Sequence, residues 1–544
     1  MSSSSVTIPT DSFYYAKRWR GLLFIGISVI VLSLDNTILN VALPSIARDL
    51  GASSTDLQWI IDGYVLVFAA LLLTLGTLGD RFGRKRALQT GLVLFGVGSL
   101  AAALAPNTAV LIVARSFLGI AGALMMPATL SIISSTFQTH ERPQAIATWA
   151  SLFGLGVGIG PVLGGFLVQT FGWHAVFLIN LPVIVVALVG GQIYLGETRE
   201  PNAPPPDIVG SLLSIAGLFA LIYGIIEAGV VGWGESNVIL SLVAAVVLLA
   251  LFAIWESRTP HPMLPLSFFR NPAFTGANIT LTLLTFALFG AVFFTPQFLQ
   301  SILGYPAFSA GLLLLPLAIT LTFVTSRSAK VAQRLGTKRT VALGVGMAGT
   351  AFLYMALVYR VDTVYFPWVF IAQVLQASGI GLAISPATTA VMSSVPVAKA
   401  GVGSAMNDTT RQLGGALGVA VLGTVATGLY VTGVTPLQGQ LSPEAFVAVS
   451  AGLQTAISPA TQALIDPAVF AQVRETAETA FMAGMNQAFF VGALVMYASA
   501  IFALLVLPDV IPSRRTRQAA SAAALLAQPD VVAPKAALPA EGQD

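Results

Sequence analysis

The sequence predicts an all-α integral membrane protein, with fourteen transmembrane helices arranged as two parallel-repeat six-helix bundles plus two linker helices. Three observations point there. Of 544 residues, 56% are hydrophobic and only 9% charged, with a mean hydropathy of +0.84, whereas soluble domains carry roughly 25% charged residues. Apolar runs long enough to cross a hydrocarbon core, about 20 residues each, recur fourteen times between Gly21 and Leu507. Finally, "MPATLSIISS" (126–135) returns as "SPATTAVMSS" (385–394), and "DRFGRKR" (80–86) as "QRLGTKR" (333–339). The recurring pieces fall on the same expected side of the membrane, so the halves are parallel rather than inverted repeats. Strict apolar–polar alternation is missing, which argues against an outer-membrane barrel.

Taken in order, residues 1–20 form a cytoplasmic segment whose Lys17, Arg18 and Arg20 precede a retained first span rather than a cleaved leader. The N-terminal bundle occupies 21–196. Two stretches rich in Pro and charge, "ETREPNAPPPD" (197–207) and "ESRTPHPMLP" (256–265), bracket the seventh and eighth spans, so 197–258 holds the linker helices with a cytoplasmic loop. The C-terminal bundle covers 259–507 and includes an external hairpin at 431–480. Its "SPEAFVAVSAGLQTAI" and "DPAVFAQVRETAETAF" read as two short amphipathic helices opened by Ser or Asp and then Pro. The tail, 508–544, is rich in Ala and Pro and is expected to lack a fixed fold.

With the N-terminus inside, 21 of the 26 Lys and Arg residues fall in cytoplasmic segments, so both termini are expected in the cytoplasm of a cell whose inner membrane holds the protein. The net charge of +3 then reflects topology, not nucleic-acid binding. Cysteine is absent, and the three histidines, His140, His174 and His261, lie in expected loops without forming a ligand pair; no metal or cofactor is expected. No nucleophile and base pair or phosphate-cradling motif suggests an enzyme.

Charges inside spans carry the chemistry. Asp35 lies about 14 Å from the outer end of its helix, Asp62 about 9 Å from the start of the second and Arg115 about 10 Å into the fourth, at 1.5 Å per residue. All three share the outer half of the bilayer. An ionised Asp at a helix centre costs roughly 2.5 to 3.5 kcal/mol by insertion scales, so these groups need partners or water. An Asp35–Arg115 pair that only pins helices together is one reading. The other notes that two acids against one base leave a carboxylate free to exchange protons. A cavity carboxylate that holds either a proton or an organic cation, but not both, yields antiport driven by the proton gradient. In the second half, Asp408 and Arg411 stand three apart on one helix face beside Asn407, either satisfying each other or meeting substrate. Tyr64, Trp149, Phe153, Phe286 and Phe293 are candidate walls, since flat rings hold varied cations through their faces.

Two further stretches concern movement. "GLGVGIGPVLGG" (154–165) puts Gly156, Gly160 and Gly164 on one ridge and Gly154 and Gly158 on another, with Pro161 inviting a bend. "GTLGDRFGRKRA" (76–87) closes the second span with Gly76 and Gly83 around Asp80. That acid stands at a helix C-terminus, which the macrodipole disfavours, so it should pair with Arg81, Arg84 or a neighbouring helix.

These residues carry a family resemblance. "GTLGDRFGRKR" resembles the loop motif of the major facilitator superfamily, "LIVARSFLGIAGA" its fourth-span arginine motif, and "GLGVGIGPVLGG" its antiporter motif. "LDNTILNVALP" and "WHAVFLINLP" are similar to signatures of the fourteen-span drug:H⁺ antiporters. Within these, Asp35 and Asp62 resemble the first- and second-span acids of exporters of quaternary ammonium compounds, where such acids serve proton coupling and cation recognition. Asn407 and Asp408 stand where those exporters can carry two adjacent glutamates, and "GLLLLPLAITLTFV" (311–324) lacks their tenth-span acid. The resemblance implies that Arg115 assists proton movement and that Asp80 with Arg84 latches the cytoplasmic side. It also implies that the external segment forms a hairpin seen in some members. The expectation is a proton-driven exporter of lipophilic, cationic drugs or dyes; the rivals are export of an endogenous metabolite and a non-transporting membrane sensor.

Overall fold

Hydrocarbon offers the backbone no hydrogen-bond partner, so each crossing segment must close its own bonds as a helix. A computed structural model, which describes residues 12–138, 141–200, 205–260, 262–395 and 400–508, contains fourteen helices long and apolar enough to cross a membrane. They are α1 (Arg18–Leu50), α2 (Ser54–Phe82), α3 (Arg84–Ala103), α4 (Thr108–Thr136), α5 (Arg142–Phe171), α6 (Ala175–Tyr194) and α7 (Ile208–Val231), then α8 (Ser236–Arg258), α9 (Pro272–Ile302), α10 (Ala307–Leu335), α11 (Thr337–Val358), α12 (Tyr365–Ser393), α13 (Ala400–Val434) and α14 (Pro467–Val506). The expected all-helical, fourteen-span class is borne out. The readings of His140, of His261 and of the tail beyond Pro508 lie outside the described residues.

Local chemistry sets the helix ends. Gly51, in the left-handed region at φ +64°, stops α1. Ser53 and Asp56 then open α2 with a reciprocal capping box, in which the Asp56 N–H donates to Ser53 Oγ and the Ser53 N–H to Asp56 Oδ2. Asn107 caps α4, and Asp466 with Pro467 opens α14. The repeat shows in the turns. Gly83 between α2 and α3, and Gly336 between α10 and α11, occupy matching places in the two recurring loops, and both adopt positive φ (+131° and +89°).

α1 packs on α5 and α6, and α4 on α2 and α3; in the second half α9 lies against α13 and α14, and α12 against α10 and α11. The linker pair α7 and α8 pack on each other, and α7 also touches α2 and α13. Fourteen crossings return the chain to the face it started from, here the terminal face; the opposite one, holding residues 438–466, is the hairpin face.

The bundles are joined near the hairpin face. Gln300 Nε2 donates to the Val41 carbonyl at 2.9 Å, one turn before Pro44, and the Phe308 N–H donates to Gln169 Oε1 at 3.1 Å. α1 runs through Pro44 and on to Leu50, beyond the expected end of its span. A Cβ on Gly165 would stand 2.3 Å from the Ala307 carbonyl oxygen, and one on Gly311 2.2 Å from that of Pro161, so α5 and α10 meet backbone to backbone.

The hairpin differs from expectation in one respect. Its second amphipathic stretch is no separate helix: residues from Pro467 run without a break into the last span as the 40-residue α14, because good helix formers such as "AQVRETAETAF" give the backbone no reason to stop. The first stretch forms short helices at Pro443–Ser450 and Leu453–Ala456. These reach across to the N-terminal bundle, where the Ser54 N–H donates to the Ala451 carbonyl at 2.7 Å and Thr455 Oγ1 to that of Ala52 at 3.2 Å.

Of the two glycine ridges on α5, one packs. A Cβ on Gly156, Gly160 or Gly164 would meet Ser33, Thr37 or Ile38 of α1 at 1.9, 2.0 and 2.6 Å, whereas Gly154 and Gly158 have nothing within 4 Å. Overpacking costs roughly 1 to 3 kcal/mol. Gly160→Val is therefore expected to lower the thermal unfolding midpoint in detergent by several degrees, and Gly158→Val to leave it unchanged.

Candidate proton and substrate site

Asp35 and Arg115 meet in the middle of the N-terminal bundle as an ion pair, Arg115 Nη1 donating to Asp35 Oδ2, with side chains only 1% and 2% exposed. Five helices contribute to the pair's surroundings. Arg115 of α4 also donates through Nε to the Ile60 carbonyl of α2 at 3.1 Å, and its guanidinium lies over the Tyr64 ring, 4.4 Å from the centroid. Asn180 of α6 donates to the second Asp35 oxygen at 3.4 Å and to Ser99 of α3 at 3.2 Å. Tyr64 stacks on Phe68 with centroids 5.7 Å apart and has Asn36 Nδ2 3.5 Å from its hydroxyl. A paired, hydrogen-bonded charge is the form in which a buried ion is tolerated.

Sequence reading had singled out Asp35, Arg115 and Tyr64 but passed over Asn180 and Ser99. A signal existed: Asn180 interrupts the apolar run of "WHAVFLINLP", just as Asp35 interrupts its own.

Asp62 is placed otherwise. It is fully buried, and neither carboxylate oxygen has a hydrogen-bond partner. The residues of α2 that face Arg115 are Ile60 and Tyr64, and a shift of two residues turns a helix by a little over half a turn, so Asp62 points away from the pair. One turn before it, on the same side of α2, Gln58 donates to Thr427 of α13 at 3.3 Å and fills the space beside Gly423. Trp59 packs on Phe219 and Tyr223 of α7. Asp62 thus belongs to the seam where α2 meets the opposite bundle and the linker.

In α13, Asp408 and Arg411 approach only to 3.9 Å, with side chains 27% and 35% exposed. Asn407 is buried with its Oδ1 unpartnered, as are Arg411 Nε and Gln412 Oε1. Thr410 donates to Asn278 of α9 at 3.1 Å, and Thr285 to the Arg411 carbonyl at 2.9 Å, which fixes this part of α13 against the first half of α9. Among the candidate walls, Trp149 and Phe153 stack at 6.3 Å and are half-buried, with Trp149 Nε1 donating to Thr129. Tyr64, Phe286 and Phe293 are buried in this arrangement.

At the terminal face Asp80 pairs with Arg84, Nε to Oδ1 at 2.6 Å, while Arg81 is exposed. Glu197 accepts from the Lys85 and Arg86 N–H groups at 3.1 and 3.2 Å, capping the N-terminus of α3 where an anion is favoured. Its carboxylate occupies the space a Gly83 side chain would need. Gly76 lets α2 close on Pro127 of α4.

A two-bundle, fourteen-helix fold with a buried charge pair and a second acid at the bundle seam defines a membrane transporter. Residues 25–419 match the profile of the Major Facilitator Superfamily, and the chain belongs to that family, a multi-pass class of transporters and not of enzymes; the resemblance read from the motifs is borne out. It is 34% identical to the multidrug efflux pump LfrA of Mycolicibacterium smegmatis over 92% of this chain and 98% of that one. It is 33% identical to the tetracenomycin C resistance and export protein of Streptomyces glaucescens, over 91% and 93%. A crystal structure of a bacterial homologue of the human lysosomal transporter Spinster superposes with a TM-score of 0.65 at 18% identity, covering 90% of this chain and 97% of that one.

Removing one partner of a buried ion pair typically costs about 3 to 5 kcal/mol. Arg115→Gln is expected to lower the unfolding midpoint strongly, whereas Asp62→Asn, which removes an unpaired carboxyl group, leaves it equal or higher. Melting curves of the two variants beside the parent protein check this.

Proposed function

We propose that the chain is a proton-driven exporter of lipophilic drugs, cationic ones among them, in the inner membrane of the cell, with both termini in the cytoplasm. The similarity to efflux pumps supports export, and the positive-inside count supports the orientation. The observation that carries the coupling is the unpaired carboxyl group of Asp62 in the closed seam.

In this reading Asp62 is the proton carrier, and the Asp35–Arg115 pair holds α1, α2 and α4 in register and sets the field around it. An ionised carboxylate buried without partners is costly, so the seam at the hairpin face stays shut only while Asp62 holds its proton. A drug entering from the cytoplasm, against Trp149, Phe153 and the Asp408–Arg411 stretch, displaces that proton inward. The bare carboxylate then favours the arrangement that brings water to it, which opens the hairpin face and lets the drug leave. A proton arriving from outside neutralises Asp62 and the seam closes. Each proton brings about 2.3 kcal/mol per 100 mV of membrane potential, besides the pH term. Asp80 with Arg84, paired in this arrangement, joins α2 to α3 at the terminal face, and Gly156, Gly160 and Gly164 let α5 follow α1 closely.

A second reading, export of a metabolite made by the cell itself, draws on the Streptomyces relative, whose name couples resistance with export. A panel of dyes and natural products in everted vesicles separates the two by which compounds the proton gradient drives.

Addition of a lipophilic cation to purified protein is expected to release protons, and Asp62→Asn to abolish the release; an unchanged release in that variant would remove Asp62 from the role. Because the chain has no cysteine, Ser54→Cys with Ala451→Cys gives a clean cross-link between hairpin and N-terminal bundle. Oxidation is expected to stop transport and a reductant to restore it, read as dye efflux from vesicles.

A further inference from the structure

The linker helices hold a pair of acids that the transport cycle does not use. Asp207 caps α7: its Oδ1 accepts from the Gly210 N–H at 2.8 Å, and both its oxygens lie close to Trp255 Nε1 of α8, at 2.9 and 3.0 Å. Glu256, next to Trp255, is 3% exposed. Its Oε2 accepts from the Leu264 N–H at 3.1 Å, and its Oε1 has no partner. A Cβ on Gly210 would stand 2.7 Å from Glu256 Oε1 and 2.8 Å from Asp207 Oδ2. The unpartnered oxygen of one buried acid and a carboxylate oxygen of the other thus flank the same point, in a space that exists because residue 210 has no side chain.

Both Asp207 oxygens already face N–H donors, whereas Glu256 Oε1 has none, so a hydrogen on Glu256 is what this space lacks. We propose that Glu256 Oε1 and Asp207 Oδ2 form a proton-binding site, distinct from Asp62, which when loaded fastens the linker to α2.

The bonds around it supply the fastening. Ser211 Oγ of α7 donates to the Asp207 carbonyl at 2.5 Å and is hydrogen-bonded to Thr74 of α2, whose hydroxyl lies 3.5 Å from Met263 Sδ. Glu256 holds Leu264 beside it. α2, α7, α8 and residues 263–264 are therefore joined through one small polar cluster. The charged groups of the surrounding elements are otherwise engaged or turned outward: Asp80 of α2 pairs with Arg84, Asp408 of α13 with Arg411, and Arg199, Arg258 and Arg270 are exposed. No ion pair to Glu256 or Asp207 occurs among the described residues. Loss of the proton leaves two like charges flanking the same buried point, and moving Glu256 away from Asp207 releases Leu264 and loosens the linker. The join between the linker and α2 is then firm at low pH and slack at high pH on the terminal face.

The test places spin labels at Phe82→Cys on the exposed end of α2 and Ser267→Cys in the segment between α8 and α9, in the full chain in lipid nanodiscs, with distances measured across a pH series. The expected result is a narrow distribution at acid pH that broadens as pH rises. Glu256→Gln, which carries its own hydrogen, should stay narrow at every pH, and Asp207→Asn, which keeps a helix cap, should likewise lose the pH response. Asp62→Asn should retain it. A parent distribution that ignores pH, or a response that survives in both linker variants, overturns the proposal. No drug or gradient enters the measurement, so it stands or falls apart from the antiport reading. Should Glu256→Gln fail to fold, Asp207→Asn alone decides.

Discussion

The N-terminal bundle depends on one ion pair in a place where water cannot help. Asp35 and Arg115 are each intolerable alone in the interior of a membrane protein, and together they require a donor for the spare carboxylate oxygen and an acceptor for the spare guanidinium nitrogens. Asn180 and the Ile60 carbonyl meet that need, which draws α2 and α6 to a contact between α1 and α4. The glycine ridge of α5 follows from the same constraint. A helix that must leave α1 free to keep its acid in register can approach it only where no side chains intervene, and Gly156, Gly160 and Gly164 provide that opening. Lipid adds little to helix association in such a bundle, so close backbone packing and internal hydrogen bonds carry the specificity.

Against this fully bonded pair, the seam around Asp62 is incompletely satisfied. Asp62 and Gln58 Oε1 lack partners on the very surface where α2 meets α13. A protein built for rest would have filled the position with leucine. In the reading proposed above, a carboxyl group there makes the stability of the closed seam conditional on its charge state, which is the kind of interface that alternating access would use.

Much of this was legible in the sequence, and the reasons are physical. Fourteen spans followed from apolar length, because lipid enforces that length on every crossing. That Arg115 would meet an intramembrane acid was legible, because a lone charge in a span must find its opposite; that the acid is Asp35 was one of the readings left open. The matching turns at Gly83 and Gly336 followed from the repeat. Other features were not legible. That Asp62 would turn away from Arg115 depends on which face of α2 each neighbour takes, and an apolar helix with polar residues on several sides does not declare that. That only one of the two glycine ridges would pack depended on where α1 lay. The break expected between the hairpin and the last span was read from amphipathic character, yet amphipathic character says where a helix is wet and not where it ends.

That unbroken last helix has a mechanical meaning. At 1.5 Å per residue its 40 residues make a rod of about 60 Å, roughly twice the thickness of the oily layer it crosses. Around half of it therefore stands clear of the lipid as a stiff mast, rooted in the C-terminal half and carrying at its far end the short helices that touch the N-terminal half. Any tilt at the root is magnified at the tip, so a small rocking inside the bilayer becomes a large displacement at the outer rim.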